Sequence, residues 1–110
     1  MERVAIIDMG SNSIRFIVIQ VADNKSYRLE YQQKEAIRLG GGMSETGRLN
    51  PEGVERAMAC LHVYKHMMEV LQVTKCIAVA TAAARNAADG EAFIARIKQE
   101  TGIDIEVISG

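Results

Sequence analysis

Bulk charge is the first thing this sequence lacks. Its 110 residues carry 13 Lys and Arg against 14 Asp and Glu, for a formal net charge of -1. With the two signs interspersed, no broad basic field exists to hold nucleic acid or an anionic membrane, so any phosphate site has to be local. Cysteine is also scarce. Cys60 and Cys76 sit in apolar runs without C-x-x-C spacing, and no histidine stands at a metal-ligand interval from them. They are read as buried, reduced thiols. His62 and His66 are four residues apart but have neither a Glu-x-x-His pattern nor a third ligand, which makes them helix-surface histidines and not a zinc clasp. No apolar run approaches the ~20 residues of a membrane span, and Met1-Glu2-Arg3-Val4 does not open a signal peptide. The expectation is a cytoplasmic protein with no nucleic-acid or membrane partner. Repeats, low-complexity tracts and linkers are absent as well.

What is present is the composition of an ordinary globular domain, 48% hydrophobic and 25% charged. Val4-Ala5-Ile6-Ile7 is an unbroken apolar run ending at Asp8, the pattern of a central strand buried on both faces that delivers one polar group at its end. That strand is expected over about residues 3 to 8. After Gly10-Ser11-Asn12-Ser13, the β-branched segment Ile14 to Val21 reads as a second strand in a hairpin with the first. Tyr27, Leu29 and Tyr31 alternate with polar residues and predict a third, half-exposed antiparallel strand. Gly40-Gly41-Gly42 and Ser44 to Arg48 read as loop. Asn50 then caps a helix with Pro51 at its first position, running to about Leu71 with Val54, Met58, Leu61, Tyr64, Met68 and Leu71 as its buried stripe. Met58, Met67 and Met68 are core filler on or beside that stripe. Cys76 to Ala80 is a buried strand, Asp89 caps a second helix closed by Gly102, and Ile105 to Ile108 begins a last strand.

The order strand, strand, strand, helix, strand, helix, strand predicts an α/β, ribonuclease-H-like domain. It is a mixed sheet in which three antiparallel strands are followed by two right-handed helical crossovers to parallel strands. The sequence halts just after a strand, so residues 1–110 are expected to form the amino-terminal domain of a longer two-domain protein.

Chemistry concentrates in Asp8-Met9-Gly10-Ser11-Asn12-Ser13. Gly10 permits close backbone approach, and successive N–H groups with hydroxyl donors suit phosphate oxygens. Asp8 offers an oxygen ligand to a hard cation. By itself the segment is also a plain polar hairpin turn. Four ordered motifs remove that plainness: Asp8-x-Gly-Ser-Asn-Ser, Ile37-Arg38-Leu39-Gly40, Ala80-Thr81-Ala-Ala-Ala-Arg85, and Glu106-Val107-Ile108-Ser109-Gly110. Together they resemble the exopolyphosphatase and guanosine pentaphosphate phosphatase (Ppx/GppA) family over the whole chain.

The resemblance implies an actin-like fold and a hydrolase that removes a terminal phosphate from polyphosphate or guanosine pentaphosphate, using Mg²⁺ in a cleft between two domains. Asp8, Gly10, Ser11, Asn12 and Ser13 would form the first phosphate loop, with Asp8 toward the metal. Arg38 and Arg85 would grip anionic substrate, a task suited to a bidentate, permanently charged guanidinium. It further implies a homodimer in the full-length form. A general-base glutamate and a second phosphate loop are expected beyond Gly110, so these residues alone should be inactive. Gly41 stands where the family often has an acidic residue, and Arg15 is a second departure. Two other readings stay open: a sugar- or acetate-kinase-type fragment, since related folds also open with a strand-ending Asp and a Gly-Ser/Thr turn, and a non-enzymatic binding module using an open sheet edge. Ser-Asn-Ser with Arg38-Leu39-Gly40 close behind suits the phosphatase family better than the kinases.

Overall fold

In the computed structural model, which describes residues 1–109, the opening apolar run becomes strand β1, Glu2–Met9. A tight turn returns it as β2, Ser13–Val21, antiparallel and in register from Glu2↔Val21 to Met9↔Ile14. β3, Tyr27–Ala36, pairs antiparallel on the far side of β2. The chain then passes through α1, Met43–Thr46, and α2, Pro51–Val70, into β4, Lys75–Ala80, which lies parallel to β1. α3, Ala82–Asn86, and α4, Gly90–Thr101, lead to β5, Glu106–Val107, parallel to β4. The sheet order is β3-β2-β1-β4-β5.

α2 begins where its capping chemistry sets it. The Asn50 side chain accepts the Glu52 N–H, and Pro51 occupies the first position, where no backbone donor is missed. Its stripe buries Ala57, Met58, Leu61, Tyr64 and Met68 against the sheet. Tyr64 stacks on Phe16 of β2 with ring centroids 4.4 Å apart and 6° between planes, and Phe16 meets Tyr31 edge-on at 6.0 Å. α4 adds Phe93 and Ile97 to the same core, so both long helices cover one face of the sheet.

The structure corrects several readings. β1 is not covered on both faces: Ala5, Ile7 and Met9 belong to the core, whereas Ile6 is half-buried and Asp8 exposed. In β3 the alternation breaks at a bulge. Val18 pairs with Tyr31 but Ile19 pairs with Leu29, which puts Tyr31 on the helix side and Leu29 on the open side. The extra residue, Glu30, accepts a bond from Arg3 at 2.9 Å. Cys76, at the second position of β4, is exposed and not buried, and Cys60 is half-buried. Asp89 occupies the N-cap position of α4, but its side chain makes no cap bond to that helix and its carboxylate instead accepts the Leu49 N–H at 2.9 Å. α1 is a short helix in a segment read as loop, and α3 is a short helix in a segment given no element from the sequence. His62 lies on the helix surface as expected and reaches Glu100 of α4 at 2.9 Å.

Candidate functional site

The candidate site forms at the carboxyl ends of β1 and β4, where open α/β sheets place their ligands. Asp8 is exposed near the end of β1, with Arg15 directly across from it on β2. The turn between the strands is closed by the Gly10 N–H donating to the Ser13 carbonyl at 2.9 Å. The carbonyls of Met9, Ser11 and Asn12 are taken by the other motifs. Met9 O accepts the Thr81 N–H at 3.1 Å, Ser11 O accepts the Gly40 N–H at 3.0 Å, and Asn12 O accepts both the Ile37 N–H at 2.9 Å and the Arg38 N–H at 3.0 Å. A Cβ built on Gly40 would sit 3.4 Å from Ser11 Cβ and 3.8 Å from Ala83 Cβ, so three sequence-distant motifs meet at that point.

This arrangement sorts the turn's polar groups by sign. The Ser11, Asn12 and Ser13 carbonyls are consumed internally, while several donors are left over. Among the described residues, the Ser11 and Asn12 N–H groups and the side chains of Ser11, Asn12 and Ser13 make no hydrogen bond, and Asp8 makes no ion pair. Unpaired N–H groups and hydroxyls gathered on one turn make a concavity suited to anionic oxygens. Arg38, exposed just beyond the turn, adds positive charge.

Arg85 belongs to the last turn of α3, and its Nη1 donates to the Ile108 carbonyl at 2.8 Å. The Ile108 N–H in turn donates to Ala80 O at 2.9 Å, which joins the fourth motif to the third. Gly110, the end of that fourth motif, lies outside the described residues. Sequence reasoning missed the groups that hold the Arg38 segment from behind. The Arg56 guanidinium donates twice to Ile37 O, at 3.0 and 2.8 Å, and Asn50 Nδ2 donates to Arg38 O at 3.1 Å. Asn50 gave a helix-cap signal only, and nothing local to Arg56 foretold a partner nineteen residues away.

A five-stranded mixed sheet in this order, with both crossovers on one face and a polar turn after its first strand, defines an α/β domain of the ribonuclease-H-like, actin-like class. Within that class the chain belongs to the Ppx/GppA phosphatase family, whose model matches residues 17–110. Solved relatives agree over nearly all of it. A family member from Aquifex aeolicus superimposes with a TM-score of 0.94 at 35% identity, covering 98% of this chain and 35% of that one. An exopolyphosphatase from Cytophaga hutchinsonii gives 0.91 at 31% identity, covering 99% of this chain and 35% of that one. A bifunctional 3-dehydroquinate synthase/phosphatase of Fusobacterium nucleatum is 31% identical over 112 residues, 96% of this chain and 17% of that protein. The chain thus spans about a third of the length of its solved relatives. Family membership removes the ground for the kinase-type reading.

Proposed function

We propose that these residues supply the first phosphate-binding half of a phosphoanhydride hydrolase, which removes the terminal phosphate of inorganic polyphosphate or guanosine pentaphosphate by attack of water. The carrying observation is the turn from Gly10 to Ser13, where the Arg38 segment occupies the Ser11 and Asn12 carbonyls while, among the described residues, the Ser11 and Asn12 N–H groups and the Ser11 and Ser13 hydroxyls stay unpaired. The Cytophaga hutchinsonii relative is an exopolyphosphatase, which favours a phosphate chain as substrate. Ser11, Asn12 and Ser13 donate to its terminal oxygens, Arg38 and Arg85 balance its charge, and Arg15 extends the positive rim beside Asp8.

The donor set suits Mg²⁺. Asp8 presents an exposed carboxylate without an ion pair among the described residues, and Mg²⁺ is commonly held by one or two carboxylates together with substrate phosphate oxygens and water. When bound there, the ion would neutralise charge on the phosphoryl group. The base that activates water is assigned to the part of a full-length protein beyond these residues, so the 110-residue chain alone is expected to release no phosphate.

The test uses the protein at the length of its relatives, with Mg²⁺, and follows phosphate release from polyphosphate and from guanosine pentaphosphate in parallel. Asp8→Ala is expected to lower release by about a hundredfold or more, the scale of losing one charge-stabilising group, with melting temperature unchanged because Asp8 is exposed. Equal rates for the variant and the parent protein would remove Asp8 from the mechanism, and no release from either substrate would reject the activity.

A further inference from the structure

We infer that Asn50 and Arg56, on the cap and second turn of α2, are positioning residues for Arg38 and so set the affinity of the phosphate site; this rests on the reading of Arg38 as a phosphate contact. Arg38 has φ 52°, a left-handed conformation uncommon for a residue with a side chain. Such a conformation persists where the surroundings over-determine it. Here they do so from two sides. On the turn side, the Ile37 and Arg38 N–H groups both donate to Asn12 O. On the helix side, Ile37 O receives two bonds from Arg56, Arg38 O receives Asn50 Nδ2, and Leu39 O receives the Asn50 N–H at 2.9 Å.

The helix comes this close because residue 53 is glycine. A Cβ there would stand 2.8 Å from both the Ile37 and Arg38 carbonyl oxygens. Arg56 forms no ion pair among the described residues, so its guanidinium is committed to a neutral carbonyl. The planar fork lets two donors converge on one oxygen, a geometry that the point charge of lysine does not reproduce. The consequence is a rigid link running from the first turn of α2 through the Arg38 peptide to the carbonyl of Asn12 in the phosphate turn.

The experiment is calorimetric titration of the relatives'-length protein with tripolyphosphate, alongside thermal melting. Arg38→Ala is expected to weaken binding by about tenfold, the worth of one charge-assisted hydrogen bond. Arg56→Ala should weaken it several-fold and Arg56→Lys should restore little, while adding Arg56→Ala to Arg38→Ala should change nothing further. Asn50→Asp separates positioning from folding. It keeps an oxygen to cap α2 but loses the donor to Arg38 O, so the melting temperature should hold while affinity falls. Unchanged affinity in Asn50→Asp and Arg56→Ala, with Arg38→Ala impaired, would overturn the positioning role and leave the phosphate site standing. An independent loss from Arg56→Ala in the Arg38→Ala background would also overturn it. Normal binding by Arg38→Ala would instead reject the phosphate role of Arg38, and this inference with it.

Discussion

The two faces of the sheet are built from the same strands and meet opposite fates. Ala5, Ile7, Met9, Ile14, Phe16, Val18, Ala78 and Ala80 alternate onto the side under α2 and α4 and join one core. Their neighbours Val4, Ile6, Ile17, Ile19, Ile77 and Val79 point the other way, and among the described residues no helix covers them. Val4 is 8% exposed yet stands outside the core cluster, while Ile77 is 45% and Leu29 53% exposed. The difference follows from handedness. Two right-handed crossovers that step in the same direction along a sheet must lay both helices on the same face. An apolar run such as Val4 to Ile7 therefore gives the strand's composition but not which face is covered. Asp8 falls on the open face by the same parity, one residue after the core-facing Ile7, and this leaves its carboxylate accessible beside the phosphate turn.

The sharpest way to break this comparison is to truncate one residue on each face. Phe16→Ala removes a fully buried ring stacked on Tyr64 and is expected to destabilise the protein by about 3–5 kcal/mol, the usual cost of an aromatic-to-alanine cavity. Ile77→Ala, on the open face, should cost less than about 1 kcal/mol, because half of that side chain already meets water. Urea unfolding of the two variants under identical conditions checks the pair. Similar costs would mean that the open face is as well packed as the core.

Tyr64→Phe sharpens the comparison within the core. The Tyr64 ring is fully buried, and among the described residues its hydroxyl has no hydrogen-bond partner. Burial, followed by the nearby Cys60, pushes the phenol well above its ordinary value, so the group stays neutral. Deleting an unsatisfied hydroxyl recovers a desolvation cost, and the substitution is expected to be neutral or to stabilise by about 1 kcal/mol. A loss of stability in urea unfolding would show that the hydroxyl makes an interaction of value.

Much of this architecture was legible because it is locally encoded. Asn50-Pro51 and the stripe from Val54 to Met68 define α2 without reference to the rest of the chain, and Gly10-Ser11-Asn12-Ser13 marks the turn. The convergence of the Arg38 and Thr81 segments on that turn was foreseen only as motif order, since the bonds to Asn12 O and Met9 O span 25 to 72 residues. What stayed hidden depended on long-range partners. The bulge at Glu30 sets Leu29 and Tyr31 on opposite faces, the Asp89 side chain takes the Leu49 N–H and not one of its own helix, and Arg56 spends its charge on a carbonyl. Composition and periodicity carry no record of such pairings.

The smallest expected effect lies far from either sheet face, where Arg96 joins α4 to α2. Its guanidinium reaches Glu55 at 2.7 Å and Glu100 at 2.8 Å, and Glu100 also meets His62. Hydrogen bonding to Arg96 holds both carboxyls below their ordinary value of 4.5. A carboxyl whose folded pKa is depressed contributes stability above its unfolded pKa and loses it as pH falls through the folded value. Arg96→Ala should therefore lower the melting temperature slightly at neutral pH, and the gap to the parent protein should close as pH drops below 4.5. Because all of these side chains are solvent-accessible, the gap should also shrink in about 1 M salt, where the screening length falls to ~3 Å. Melting curves across pH and salt decide the point: a gap that persists in acid would mean that Arg96 acts through packing of its aliphatic stem against α2 and not through charge.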